Sequence, residues 1–439
     1  IYKLKKYAES GIKNYTHSVD LWMKNSGLII DCDEKKNALR NLFKNSKVAF
    51  IYGAAGTGKS TMINYISSLF KDKQKIFLAN TNPAVENLRR KVTAEHAEFV
   101  TITKFLSKDV SNDCDILCLD ECSTISNRDM VRVLQRAQCK LLVLVGDIYQ
   151  IESILFGNWF NIAYKVMPKD SVAELTRPHR TTVQGLIEVW NKVREITEDR
   201  LEFITRNGLS STLDESIFSR TEEDEIVLCL NYDGIYGINN INKFLQSNNV
   251  NPSINWGVLS YKVGDPVLFN ESNRFAPLVY NNLKGKILQI EEEEDCIYFT
   301  IEVYTVLNEL DVIGFDLELK ESVTDETSVI RFKVGRGGDG NDDNDNVENV
   351  VPFQVAYAIS IHKAQGLEYE SVKVVITSEI EEMVSHNIFY TAITRAKSKL
   401  KIYWSPETEK RILENMKVQF NDKDYQLFKA KYKEALLKS

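Results

Sequence analysis

The chain has 439 residues and a mass of 50.3 kDa, room for about three domains at ~150 residues each. With 43% apolar and 27% charged residues, its composition is globular and excludes a collagenous, coiled-coil or wholly disordered chain. The net charge of −7 gives no global attraction for polyanions, and apolar runs such as Leu141 to Val145 fall far short of the ~20 residues of a membrane span.

In chain order, residues 1–27 mix Lys, Tyr, Leu and Trp without strand alternation and read as an N-terminal helical segment. From Lys47 onward, short apolar runs alternate with helical stretches: Val48 to Tyr52, Ile76 to Ala79, Ile116 to Leu119 and Leu141 to Val145. That alternation predicts a parallel sheet wrapped by helices. A second set, Ile226 to Leu230, Val372 to Ile376 and Leu400 to Trp404, predicts a second α/β lobe. Between these runs lie DPVLFN, KGKILQI, CIYFTIEVYTVL, VIGFDLEL and SVIRFKV, β-rich segments that suggest a small inserted barrel. The expected divisions are 28–168 for the first lobe, 169–254 and 350–439 for the two parts of the second, and 255–349 for the insert. The acidic stretch Gly335 to Asn349 reads as a loop, because Asn344 and Val350 stand where a calcium loop needs its Gly and its bidentate Glu.

The seven cysteines form no C-x-x-C pair, which disfavours disulfide scaffolds and the common zinc spacings and fits a reducing cytoplasm. Cys114, Cys118 and Cys122 fall along a strand and its turn and read as core. A chain opening on Ile1 rather than Met is expected to lack residues N-terminal of it, so a signal peptide is not open to argument.

Gly53-Ala54-Ala55-Gly56-Thr57-Gly58-Lys59-Ser60 fits G-x-x-x-x-G-K-[ST] between the strand-like KVAFIY and the helical TMINYISSLF, which begins at Thr61. Such a loop cradles the phosphates of ATP with its amides and helix N-terminus, Lys59 reaching the β and γ phosphates and Ser60 ligating Mg²⁺. Asp120-Glu121 closes the apolar run DILCLDE. There Asp120 is expected to hold Mg²⁺ and Glu121 to take the proton of the attacking water, on a strand expected to neighbour that of the phosphate loop.

Six further segments resemble, in order, the motifs of superfamily 1 helicases: NTNPAVENL (motif Ia), LCLDEC (II), VGDIYQIESI (III), LTRPHR (IV), AISIHKAQGLEY (V) and FYTAITRAKSKL (VI). The resemblance implies two RecA-like P-loop lobes with an inserted SH3-like barrel and N-terminal helices, hydrolysing ATP with Mg²⁺ to move on single-stranded DNA. It implies catalytic roles for Gln150, Arg180 and Arg395 beside Glu121, and nucleotide contacts from Gln365, Gly366 and Glu368. Physically, an arginine finger is worth ~10³ to 10⁵ in phosphoryl-transfer rate. For the strand grip the resemblance points to Thr81, Asn82, Thr103, Ser360, His362 and Lys363, and hydroxyls, amides and backbone NH groups suit phosphate contacts. Trp159 could stack a base, though a core role beside Phe156 and Phe160 competes.

The sequence departs from the pattern in places. Lys35 or Lys36 stands where the family usually has a Gln that reads adenine, Thr103 where it has a His, and Glu152 where Pro or Ala is common. The inserted module and a motif Ia without an aromatic favour the RecD branch and 5′ to 3′ movement, while the Gln-Gly-Leu-Glu of motif V is UvrD-flavoured. Only 32 residues, 89 to 120, separate Leu88 from Glu121, too few for a sizeable strand-splitting insertion there. A nucleic-acid-activated ATPase partnered with a nuclease or another subunit, and an RNA helicase, remain alternatives; no membrane partner is expected.

Overall fold

The computed structural model describes residues 1–10, 14–107, 112–150, 157–177, 181–270, 274–276, 278–322, 324–336, 349–417 and 422–437. Arg180, Glu152, Phe156 and most of the acidic loop lie outside the described residues. Two compact units form: Ile1–Arg200 with Val384–Thr394 and Asn415–Ser439, and Leu201–Met383 with Arg395–Glu414. Among the described residues no helix is long and apolar enough to cross a membrane.

The first unit is built on a six-stranded sheet of β1 (Val48–Gly53), β2 (Lys75–Ala79), β3 (Ala97–Thr101), β4 (Asp113–Leu119), β5 (Gln138–Gly146) and β6 (Val172–Leu175). Their order is β3-β2-β4-β5-β1-β6, with every pair parallel. Successive side chains of a strand point to opposite faces. Phe50, Leu117, Leu142 and Leu144 therefore pack on one side with Trp159 and Phe160. Ala49, Ile51, Ile116 and Val143 pack on the other with Leu39, Met62, Ile63 and Ile66. Burial on both faces explains the unbroken apolar runs. Helices Tyr2–Glu9 and Thr16–Asn25 add Leu4 and Ala8 to the first cluster and Val19 to the second. Cys114, Cys118 and Cys122 are buried in these cores, and desolvation raises their thiols, that of Cys114 to about 12.

Within VTITKF, residues 100–105, the chain changes from strand to helix: β3 ends at Thr101, whose Oγ1 accepts the Lys104 amide at 3.2 Å and starts the helix Ile102–Leu106. The first unit also runs past residue 168, because β6 pairs with β1 (Phe50 opposite Val172 through Gly53 opposite Leu175). Helix His386–Ile393 joins this unit through Trp190, whose Nε1 donates to the Ile393 carbonyl at 3.0 Å, and through His386, whose Nε2 donates to the Val193 carbonyl at 2.9 Å.

The second unit opens with β7 (Ser210–Ser211) and β8 (Glu225–Cys229). An antiparallel insert follows: the hairpin β9 (Ser253–Trp256) and β10 (Leu259–Lys262), then β11 (Pro266–Phe269), β12 (Lys284–Glu292), β13 (Cys296–Val303), β14 (Glu318–Lys320), β15 (Ser328–Gly335) and β16 (Phe353–Val355). The chain then supplies β17 (Ala358–Ser360), β18 (Tyr369–Val375) and β19 (Ala396–Tyr403), completing a parallel sheet ordered β17-β8-β18-β19-β7. These two parallel sheets are the cores of two RecA-like lobes. In the insert the order is β14-β15-β13-β12-β11-β16, so among the described strands β14 and β16 are edges and the pairing does not close a ring. The insert also extends past residue 349, since β16 pairs with β11. Its core is aromatic, with Phe299 5.0 Å from Phe353 and Phe275 5.1 Å from Phe332 between ring centroids.

Candidate active site

At the C-terminal end of β1 the chain turns through Gly56 and Gly58, at φ +76° and +83°, conformations glycine adopts without steric cost. Gly53 is fixed by space: a Cβ there would lie 2.4 Å from the Leu175 carbonyl oxygen and 2.7 Å from Thr57 Oγ1. Thr57 is buried and donates to the Ala54 carbonyl at 2.9 Å. Helix Lys59–Leu69 then starts, and the free amides of its first turn make an anion site. Lys59 Nζ donates to the Gly53 and Ala54 carbonyls at 2.8 Å each and stands 3.9 Å from Asp147 Oδ2. Ser60 and Thr61 are half-buried in the first helical turn.

The carboxylates arrive differently from the sequence expectation. Asp120 follows β4, but β5 lies between β4 and β1, so the strand beside the phosphate loop delivers Asp147 instead. Asp147 is 2% exposed, and its Oδ1 accepts the Tyr149 amide at 3.0 Å. Within VGDIYQIESI the sequence reading singled out Gln150 and not Asp147; the signal was a Gly-Asp closing an apolar strand. Desolvation pushes the Asp120 carboxyl above its ordinary range, against the pull of the Glu121 amide at 2.9 Å and the charges of Lys59 and Lys91. Glu121 sits at φ +51°, a left-handed conformation costing a non-glycine residue ~1 to 2 kcal/mol. Its carbonyl is fixed by the Thr124 amide and hydroxyl, both at 2.9 Å.

The donor set fits Mg²⁺. Ser60 at the first helical turn and the Asp120 carboxylate after β4 are hard oxygen donors, the one or two protein ligands that Mg²⁺ takes beside water and phosphate. A carboxylate held in a desolvated place is one that a cation would favour in its charged form.

After β5, Gln150 is half-buried and its carbonyl accepts from Asn387 Nδ2 at 2.9 Å. The neighbouring Tyr149 ring meets Tyr390 at 6.1 Å and the Arg194 guanidinium at 5.8 Å. Thr81, Asn82 and Thr103 are exposed and lie just past the C-terminal ends of the paired strands β2 and β3. Lys35 is 1% exposed and ion-paired with Asp31, while Lys36 pairs with Asp33 at 3.1 Å. Trp159 is core, 4% exposed, with Nε1 donating to the Ile125 carbonyl at 2.8 Å.

The second unit gathers another group. Gln365, Gly366 (φ +81°) and Glu368 lie in the turn between β17 and β18. Arg395 is 2% exposed; its Nη1 donates to the Leu367 carbonyl at 3.1 Å and its own carbonyl accepts the Tyr369 amide at 3.0 Å. Ser360 is buried, with Oγ accepting the Lys363 amide at 3.2 Å; Lys363 Nζ donates to Gln354 Oε1 at 2.9 Å, and His362 is exposed.

An AAA domain model matches residues 32–214, and a UvrD-like helicase C-terminal domain model matches residues 355–403. The RecBCD enzyme subunit RecD of Buchnera aphidicola is 23% identical over 88% of this chain and 78% of its own length. A Pif1 helicase structure from Bacteroides superposes over 92% of this chain and 98% of that one, with a TM-score of 0.54 at 16% identity. These matches make the chain similar to the RecD/Pif1-like superfamily 1 helicases. The relatives and solved structures matched include proteins named as RecBCD enzyme subunit RecD and as ATP-dependent DNA helicase Pif1. An uncharacterized protein of Methanocaldococcus jannaschii is 24% identical over 84% of this RecD/Pif1-like chain, which spans 37% of that relative's length.

Proposed function

We propose that this chain is an ATP-driven translocase on single-stranded DNA that moves 5′ to 3′. The observation carrying this reading is that the C-terminal ends of one parallel sheet's strands bear the phosphate loop, Asp120 and Asp147 together with the exposed Thr81, Asn82 and Thr103. In this reading Lys59 and the loop amides hold the ATP phosphates and Glu121 accepts the proton of the attacking water. Gln150 senses the γ phosphate, and Arg395 and Arg180 stabilise its developing charge. Ser60 and Asp120 would hold Mg²⁺, which supplies charge neutralisation on the phosphates. Ser360, His362 and Lys363 join the unit 1 hydroxyls in gripping the strand.

ATP turnover is to be measured without nucleic acid, with single-stranded DNA and with RNA. Stimulation by DNA alone supports the reading, and stimulation by RNA alone overturns the choice of substrate. Displacement of streptavidin from end-labelled oligonucleotides tests direction: faster release from the 3′ end supports 5′ to 3′ movement. Similarity to a protein named as a RecBCD enzyme subunit favours a second reading, in which the motor works beside a partner subunit; co-purification with a nuclease would support it.

A further inference from the structure

Where the insert meets the lobe 2 sheet lies a cavity of about 100 Å³, lined by Asp224, Lys284, Tyr304 and Tyr369 among others. Lys284, the first residue of β12, is the centre of its chemistry. Its side chain is 19% exposed. Its ammonium lies 4.2 Å from the Tyr369 ring centroid and 5.2 Å from that of Tyr304, bonds Asp224 Oδ1 at 2.5 Å and donates to the Glu368 carbonyl at 3.2 Å. Asp224 continues the link: its Oδ2 accepts the Glu370 amide and its carbonyl the Ser371 amide, both at 3.2 Å. Burial lowers the Lys284 pKa and the Asp224 charge opposes that shift, so the ammonium is kept by its partners rather than by water.

The turn from Gln365 to Tyr369 is thus held from two sides. Arg395 holds it through Leu367 and the Tyr369 amide, and the insert holds it through Glu368 and the Tyr369 ring. We infer that Lys284 is a positioning residue for ATP turnover, through which the inserted β-module sets the turn that bears Gln365, Gly366 and Glu368 and anchors the Arg395 guanidinium. This inference rests on the proposed role of Arg395 at the γ phosphate. A shift of the turn would then misplace a group needed chiefly in the transition state, so kcat falls while the KM for ATP stays. Displacements of ~1 Å at such a group cost up to ~10² in rate.

The test uses the full chain and four variants: Lys284→Met, Lys284→Arg, Lys286→Met and Lys59→Ala. Lys286 is two residues along β12 and pairs with the exposed Glu223, so Lys286→Met controls for a lost ion pair on the same strand. The expected result is a roughly tenfold lower DNA-stimulated kcat in Lys284→Met with KM for ATP within about twofold. Lys284→Arg should recover most of the rate and Lys286→Met should match the parent. Parent-like kcat in Lys284→Met beside an inactive Lys59→Ala overturns the inference, and so does an equal loss in Lys286→Met. If Lys284→Met does not fold, the inference stands or falls on Asp224→Asn, which keeps the amide acceptors and removes the countercharge: a parent-like kcat there overturns it. Retained hydrolysis in Lys59→Ala would instead sink the reading of the nucleotide site.

Discussion

Lys59 and Glu121 stand at opposite ends of the proposed chemistry, and their substitutions separate binding from hydrolysis. Lys59→Ala removes the cation facing the phosphates and is expected to abolish turnover. Glu121→Gln keeps size and position without the base, so it should bind ATP while its turnover drops by ~10² or more. Titration with a fluorescent ATP analogue beside a phosphate-release assay reads both quantities, and parent-rate hydrolysis in Glu121→Gln would refute the base assignment. Gly53 carries a steric prediction. The 2.4 Å approach to the Leu175 carbonyl is to backbone, which cannot swing aside, so Gly53→Ala must part β1 from β6 or distort the loop. Overpacking of this kind costs ~1 to 3 kcal/mol, read as a lower urea midpoint, with weakened nucleotide binding in whatever still folds.

At the scale of elements, helix His386–Ile393 is clamped to helix Gln184–Glu195 by the His386 and Trp190 bonds. Burial lowers the His386 pKa below its ordinary 6.5, outweighing the bonds to Val193 and Asn387 and the Asp147 charge, with Arg200 adding to the fall. The unfolded chain therefore binds the proton more readily than the folded one. The neutral ring's contribution to stability is complete above the unfolded pKa of about 6.5 and is lost as pH falls below it. The Tm of the parent should drop between about pH 7.5 and about pH 5.5 by more than that of His386→Gln, which does not titrate there. Equal drops in thermal melts of the two proteins would exclude this histidine as the cause.

For the whole molecule, the segment between helix Asn82–Lys91 and β4 holds β3 and the short helix Ile102–Leu106, which leaves no sizeable domain there to split a duplex. Opening DNA costs ~1.4 kcal/mol per base-pair step, within reach of ATP hydrolysis, so the limit is geometric. The chain alone should translocate on single strands and unwind a forked duplex poorly, with rescue by an added subunit. A stopped-flow comparison of the two activities decides it: processive unwinding by the isolated chain refutes the prediction.

The sequence alone determined what local chemistry dictates. A glycine-rich loop between an apolar run and a helical pattern has few other folds, and buried parallel strands must be apolar throughout, so β1, β2, β4, β5, β8, β18 and β19 were legible in outline. So was the strand-rich character of residues 255–335. What the tertiary structure decided depends on strand order, which period and composition do not encode. Placing β5 between β4 and β1 put Asp147 rather than Asp120 on the strand beside Lys59. Pairing β6 with β1 carried the first unit past residue 168 and set the Leu175 carbonyl against Gly53. The Lys284 contact to the Glu368 carbonyl joins residues 84 positions apart. An isolated lysine at the start of a strand gives no sign of it, because its burial and its partners exist only once the insert packs on the lobe.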